Sequence, residues 1–144
     1  MSDEPAFSFS LPAHLDQVGR LTSWLRSITS THLREDEFIL LEIGIVEIVN
    51  NIIEHGFGQT PPGILDVTCE LKGSQVTLRI IDTGEAIPDG LQERYDNLSE
   101  EASLDATSGR GLGIIKKCFK RVVFQHMGGH NNVTAVYDLD MVRA

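Results

Sequence analysis

Glu42-Ile-Gly-Ile-Val-Glu-Ile-Val-Asn-Asn-Ile-Ile-Glu-His-Gly56 decides how the rest of the chain is read. Its apolar residues Ile45, Ile48, Val49, Ile52 and Ile53 recur at helical spacing. Glu47, Asn51 and His55 stand four apart inside that pattern. Such spacing stacks them on one face of a helix, directly beside the apolar stripe. A helix that packs one stripe on a sheet and turns the next toward a ligand has this pattern. Asn51 carries an oxygen of the kind Mg²⁺ accepts, and Mg²⁺ is held by few protein groups plus substrate phosphates. Glu47, one turn earlier, could take a proton from an attacking hydroxyl. Taken alone, the same residues also read as a solvated helix face.

Around this helix the chain runs in order. Phe7 to Leu11 alternates apolar and polar as a strand does, and Pro12 ends it. A first helix, starting between Ala13 and Asp16, carries Leu15, Val18, Leu21, Trp24, Leu25 and Ile28 on one face. Arg20 on its other face suits either a partner or solvent. Asp36 is the expected N-cap of the second helix. Gly56 and Gly58 are expected to stop it in the left-handed conformation. A 59–63 loop leads into a hairpin, with Ile64–Lys72 alternating Leu65, Val67, Cys69 and Leu71, a turn at Gly73, and Val76–Ile81 returning.

Asp82-Thr-Gly-Glu-Ala-Ile-Pro88 leaves that strand directly. A sheet can aim a carboxylate from such a position into a pocket, where it accepts a hydrogen bond from an exocyclic amine. Asp and Gly are equally ordinary turn formers. Residues 89–108 are polar and acidic, an uncommonly long weakly patterned stretch of the sort that makes a lid, with a short helix within Leu91–Leu98. Ser108-Gly-Arg-Gly-Leu-Gly-Ile114 then opens a helix bearing Leu112, Ile115, Cys118 and Phe119. A glycine turn feeding a helix N-terminus leaves backbone N–H groups free for phosphate, and Arg110 could add a charged contact. It is neither a dinucleotide fingerprint nor a Walker loop, because the required glycine spacing and Gly-Lys-Ser/Thr are missing. Val122–His126 and Val133–Leu139 form a second hairpin about a loose turn, Gly128–Asn132. His126 and His130 read as surface histidines.

Strand, helix, helix, hairpin, glycine turn, helix and hairpin make an α+β two-layer sandwich, with helices on one face of a mixed, largely antiparallel sheet. The 144 residues fit one domain, 1–144, with a single core. Net charge is −9, from 21 acids and 12 bases, which disfavours nucleic acid and anionic membranes as partners. Lys116, Lys117, Lys120 and Arg121 read as the positive end of one helix. The two cysteines, Cys69 and Cys118, lie far apart and are expected to be reduced and partly buried. With no apolar run of roughly 20 residues and no signal-peptide pattern, the chain is expected to be soluble and cytoplasmic.

The three motifs, in this order, resemble the N box and the two glycine boxes of the GHKL ATPase superfamily, whose members share the Bergerat fold. The resemblance runs from the first strand to the last hairpin. Within the superfamily the chain looks most like the bacterial anti-sigma-factor serine kinases and related switch kinases of partner-switching systems. Sensor histidine kinases add a dimerising helical pair with a phosphoacceptor histidine, which this chain has no room for.

The resemblance implies ATP and Mg²⁺ as ligands, with Glu47 as general base toward an acceptor serine and Asn51 as the metal ligand. It implies that Asp82 binds the adenine amine, that Gly84 lets the base approach the backbone, and that Ile87 contributes to the same site. It assigns Ser108, Gly109, Arg110, Gly111, Leu112 and Gly113 to the phosphate turn, and Thr134 to adenine binding from a late strand. It further implies a protein serine kinase and anti-sigma factor acting on a small antagonist protein, a sigma factor or other effector as second partner, and a homodimer. A non-catalytic ATP-gated binding module and an ATP hydrolase are the alternatives. Two departures from the superfamily pattern stand out. The first glycine box reads Thr-Gly-Glu-Ala, and the acidic lid has no lysine.

Overall fold

The computed structural model describes residues 6–57, 63–98 and 110–143. The first strand, β1 (Ala6–Pro12), is followed by a short 3-10 turn, Leu15–Gln17, and by helices α1 (Val18–Thr29) and α2 (Glu35–Gly56). Strands β2 (Ile64–Lys72) and β3 (Gln75–Asp82) lead to the short helix α3 (Leu91–Asp96). Helix α4 (Arg110–Cys118), strands β4 (Arg121–Met127) and β5 (His130–Asp138) and a last helix α5 (Leu139–Arg143) complete the order.

The strands form one five-stranded sheet in the order β1-β2-β3-β5-β4. All four pairings are antiparallel, so the parallel contribution that a mixed sheet allows is not present among the described strands. Strand alternation, with a period of two, sends one set of side chains toward the helices. Register then lines that set up in rows across the sheet. Phe9, Val67, Ile80, Val133 and Phe124 form one such row. Phe7, Cys69, Leu78, Ala135 and Val122 form the next. Leu41, Ile45, Ile48 and Val49 of α2 and Leu21 and Leu25 of α1 close over these rows as a buried layer.

Several local expectations change. Leu15 is 49 % exposed, because the chain enters α1 through the 3-10 turn and the α-helical period begins only at Val18. The N-cap of α2 is Arg34, not Asp36. Glu37 carries the cap by reaching back 2.8 Å to accept the Arg34 backbone N–H. Gly56 ends α2 without a positive φ, and Phe57 follows at φ −130°. The helix therefore stops by burying Phe57 rather than by a left-handed glycine. Gly58 lies outside the described residues. The second hairpin is tight. Gly128 (φ 62°) and Gly129 (φ 78°) make a two-residue turn, and Asn131 and Asn132 belong to β5. Two successive positive φ values are what a two-residue hairpin requires.

Both cysteines are free and buried, and burial pushes the Cys69 thiol up to about 12. No described helix is long and apolar enough to cross a membrane.

Candidate nucleotide site

A cavity of about 380 Å³ opens where α2, α3 and α4 meet the ends of β3, β4 and β5. That volume lies in the range of small-molecule sites, and its walls are mainly apolar with a few convergent polar groups. Ile48, Ile52, Leu112, Ile115, Phe124 and Val133 supply apolar wall. Asn51 and Asp82 enter the cavity from two different elements.

On the α2 side, helical spacing places Glu47 and Asn51 one turn apart, both half-buried. They face the first turn of α4 at Gly111. A Cβ built on Gly111 would lie 3.2 Å from Glu47 Oε2 and 3.3 Å from Asn51 Nδ2. Glycine there lets a carboxylate and an amide meet the start of a helix, where the first N–H groups lack partners within the helix. His55, the third member of the file, lines the cavity and is exposed. Cys118 lies behind this group. Burial pushes its thiol up, and the charge of Glu47 adds to the effect.

On the sheet side, register decides the geometry. Asp82 pairs with Asn131, and Asn131 pairs with His126. These residues form a polar row at the cavity end of the sheet. Asp82 is 2 % exposed. Its Oδ1 accepts the Gly84 N–H at 2.8 Å and the Asn131 side-chain amide at 3.0 Å. Asn131 Nδ2 also donates to Glu85 O at 2.8 Å, and Asn131 Oδ1 accepts the Ile87 N–H at 3.0 Å. The loop after β3 is thereby fastened to β5 at two points.

Not every expected residue reaches the cavity. Asn51, Asp82, Ile87, Gly111 and Leu112 line it. Glu47 adjoins it at Gly111. Gly84 is not part of the lining. A Cβ there would lie 2.9 Å from Gly56 O and from the Phe57 ring, so the glycine permits close packing against the end of α2. Thr134 is set on the opposite sheet face, paired with Arg79 and Val123, because it is odd in step with Val133 and Ala135. It does not line the cavity; from β5, Asn131 and Val133 do. Gly113 sits buried within α4. Ser108 and Gly109 lie outside the described residues, as does the side chain of Arg110, the first residue of α4.

Two residues emerge that motif reading passed over. Asn131 is the hub of the polar row. Arg94 of α3 lines the cavity and brings a cation to it. Signals for both were present: a Gly-Gly hairpin turn that pairs residue 126 with 131, and a position three after Leu91 on one helix face.

The sequence description of the histidine kinase-like ATPase domain matches residues 11–137, and the chain belongs to that ATP-binding family. Its curated relatives include the anti-sigma F factors of Geobacillus stearothermophilus and Geobacillus kaustophilus. Each is 26 % identical over 139 residues, covering 95 % of this chain and 91 % of the relative. Among solved structures, the Acinetobacter baumannii histidine kinase AdeS overlays with a TM-score of 0.49 at 14 % identity, over 92 % of this chain and 68 % of that one.

Proposed function

We propose that this chain is an ATP-dependent protein serine kinase and anti-sigma factor of a partner-switching system, which phosphorylates a serine of a small antagonist protein. The observation that carries this reading is the convergence of Glu47 and Asn51 on Gly111, across the cavity from Asp82. A nucleotide whose base reaches Asp82 lays its phosphates toward the start of α4. The similarity to two anti-sigma F factors supports the choice of partner class.

In this reading Asp82 accepts from the adenine amine, and Ile87 and Leu112 flank the nucleotide. Backbone N–H groups at the α4 start, with Ser108, Gly109, Arg110 and Gly113 of the same turn, hold phosphate. Arg94 adds positive charge from α3. Asn51 is the oxygen donor for Mg²⁺, a fit to the usual pattern of one or two protein ligands. Mg²⁺ held there would supply charge neutralisation to the phosphates. Glu47 takes the proton of the serine hydroxyl as the serine oxygen bonds to the γ-phosphorus. The bond from that phosphorus to the β–γ bridging oxygen breaks, and ADP leaves. The new phosphate weakens docking of the antagonist and frees the kinase surface for a sigma factor or another effector. A homodimer and a cytoplasmic location belong to the same reading.

The test uses γ-labelled ATP with Mg²⁺ and an extract of the source organism. The expected result is one small protein carrying acid-stable phosphoserine, labelled by wild type and not by Glu47→Ala. ATP binding with no transfer would instead favour an ATP-gated binding module, and label released as free phosphate would favour a hydrolase.

A further inference from the structure

We propose that Asn131 is a positioning residue that sets the purine preference of the cavity by fixing the carboxylate of Asp82. The proposal rests on the reading of Asp82 as the group that meets the base. Asn131 is 3 % exposed and sits opposite Asp82 in the register. A side-chain amide has two N–H donors and an oxygen with two lone pairs. Here Nδ2 donates to Asp82 Oδ1 at 3.0 Å and to Glu85 O at 2.8 Å. Oδ1 meets the Ile87 N–H at 3.0 Å and His126 Nδ1 at 2.8 Å. All four valences are engaged within the protein, so Asn131 has none to give a ligand and acts through its neighbours.

The orientation of the amide follows from the same partners. Turned over, it would set an N–H against the Ile87 N–H and an oxygen against the Asp82 carboxylate. With Oδ1 of Asp82 taking both the Gly84 N–H and Asn131, the second carboxylate oxygen, Oδ2, is the one left to face a ligand. An ionised carboxylate is an acceptor only. The fixed oxygen therefore selects a base that presents an amine at that position and disfavours one that presents a carbonyl oxygen. Removing Asn131 frees the carboxylate to rotate and unfastens the 83–88 loop at Glu85 and Ile87. Replacing it by Asp sets two carboxyl groups side by side. Like charges raise one of the two pKa values, and a protonated carboxyl can donate to a carbonyl.

ATP and ITP test this, because they share the triphosphate and differ only in the base, so phosphate and metal contributions cancel in the ratio of their Kd values. Wild type is expected to bind ATP at least about tenfold more tightly than ITP. Asn131→Ala is expected to bring the ratio to roughly threefold or less with Kd for ITP nearly unchanged. Asn131→Asp is expected to move the ratio further, toward ITP. Asn131→Ser, smaller and unable to span the gap to Asp82, carries the same comparison if the alanine variant does not fold. A merely structural role weakens both nucleotides by the same factor, and that result, or an unchanged ratio, would overturn the proposal. Wild type binding ATP and ITP alike would overturn the role of Asp82, and binding neither would overturn the nucleotide reading itself.

Discussion

At the scale of single residues, what a glycine faces separates chemistry from stability. The missing Cβ of Gly111 leaves room for the ends of two flexible side chains, Glu47 and Asn51. Those ends can move aside, so Gly111→Ala is expected to keep the unfolding temperature within a few degrees while phosphoryl transfer falls by about tenfold or more. The missing Cβ of Gly84 lies against a backbone carbonyl, Gly56 O, and the Phe57 ring, neither of which can yield easily. Gly84→Ala is therefore expected to cost about 1–3 kcal/mol in urea unfolding, as overpacking does. Glu47→Gln keeps the shape and removes the carboxylate proposed as the base. Transfer is expected to fall by about 10²–10⁴-fold, with Kd for ATP held within about twofold. A Glu47→Gln protein that still transfers phosphate at the wild-type rate would exclude Glu47 as the base.

At the scale of elements, the C-terminal helix is fastened to the N-terminal turn of α2 by a buried charge. Glu37 is fully buried and ion-paired with Arg143 of α5, while its other contacts are the Arg34 backbone and guanidinium. The hydrogen bond from Arg143, more than any other cause, holds the Glu37 carboxyl at about 2, well below its ordinary 4.5. The folded value is lower than the unfolded one, so the stabilisation is complete above about pH 4.5 and is lost as pH falls toward 2. Thermal unfolding followed from pH 6 down to pH 2 is expected to show this loss as a falling midpoint. Arg143→Ala is expected to lower stability at neutral pH by about 1–3 kcal/mol, because a buried carboxylate loses its main partner. The same variant flattens the acid dependence, since less of the pKa depression remains to be lost. Tyr137, buried in β5, donates to Glu37 O at 2.6 Å and ties the same turn to the sheet.

For the whole molecule, stability and ligand binding are one equilibrium. A ligand that binds only the folded state adds about 2.7 kcal/mol at a hundredfold excess over Kd. For a chain of 144 residues that amounts to roughly 10 °C in unfolding temperature. ATP is expected to give such a shift and ITP a smaller one. Asp82→Asn is expected to make the ITP shift the larger one, because the Gly84 N–H and the Asn131 amide hold the new amide oxygen inward and leave its NH2, a donor, to face the base. Differential scanning fluorimetry at matched nucleotide concentrations reads both. Equal shifts for ATP and ITP with wild type would remove Asp82 from base recognition.

Periodicity alone determined much of this protein. The α2 stripe, the alternation of Leu65, Val67, Cys69 and Leu71, and the apolar face of α4 each repeat with the period of one element, so local sequence suffices to place their buried sides. The polar file Glu47, Asn51 and His55 was legible for the same reason. Three motifs in order carried the family resemblance. Tertiary structure alone decided which residues face one another across elements. Whether Asn131 or Thr134 meets Asp82 turns on strand register, and a shift of one residue exchanges the two sheet faces. The Gly128-Gly129 turn fixes that register, but its consequence appears only once β5 is paired with β3 and β4. The approach of Glu47 and Asn51 to Gly111, and the capture of Glu37 by Arg143, likewise join residues distant in sequence. Such contacts leave no periodic trace, because packing between elements, not the propensity of either one, creates them.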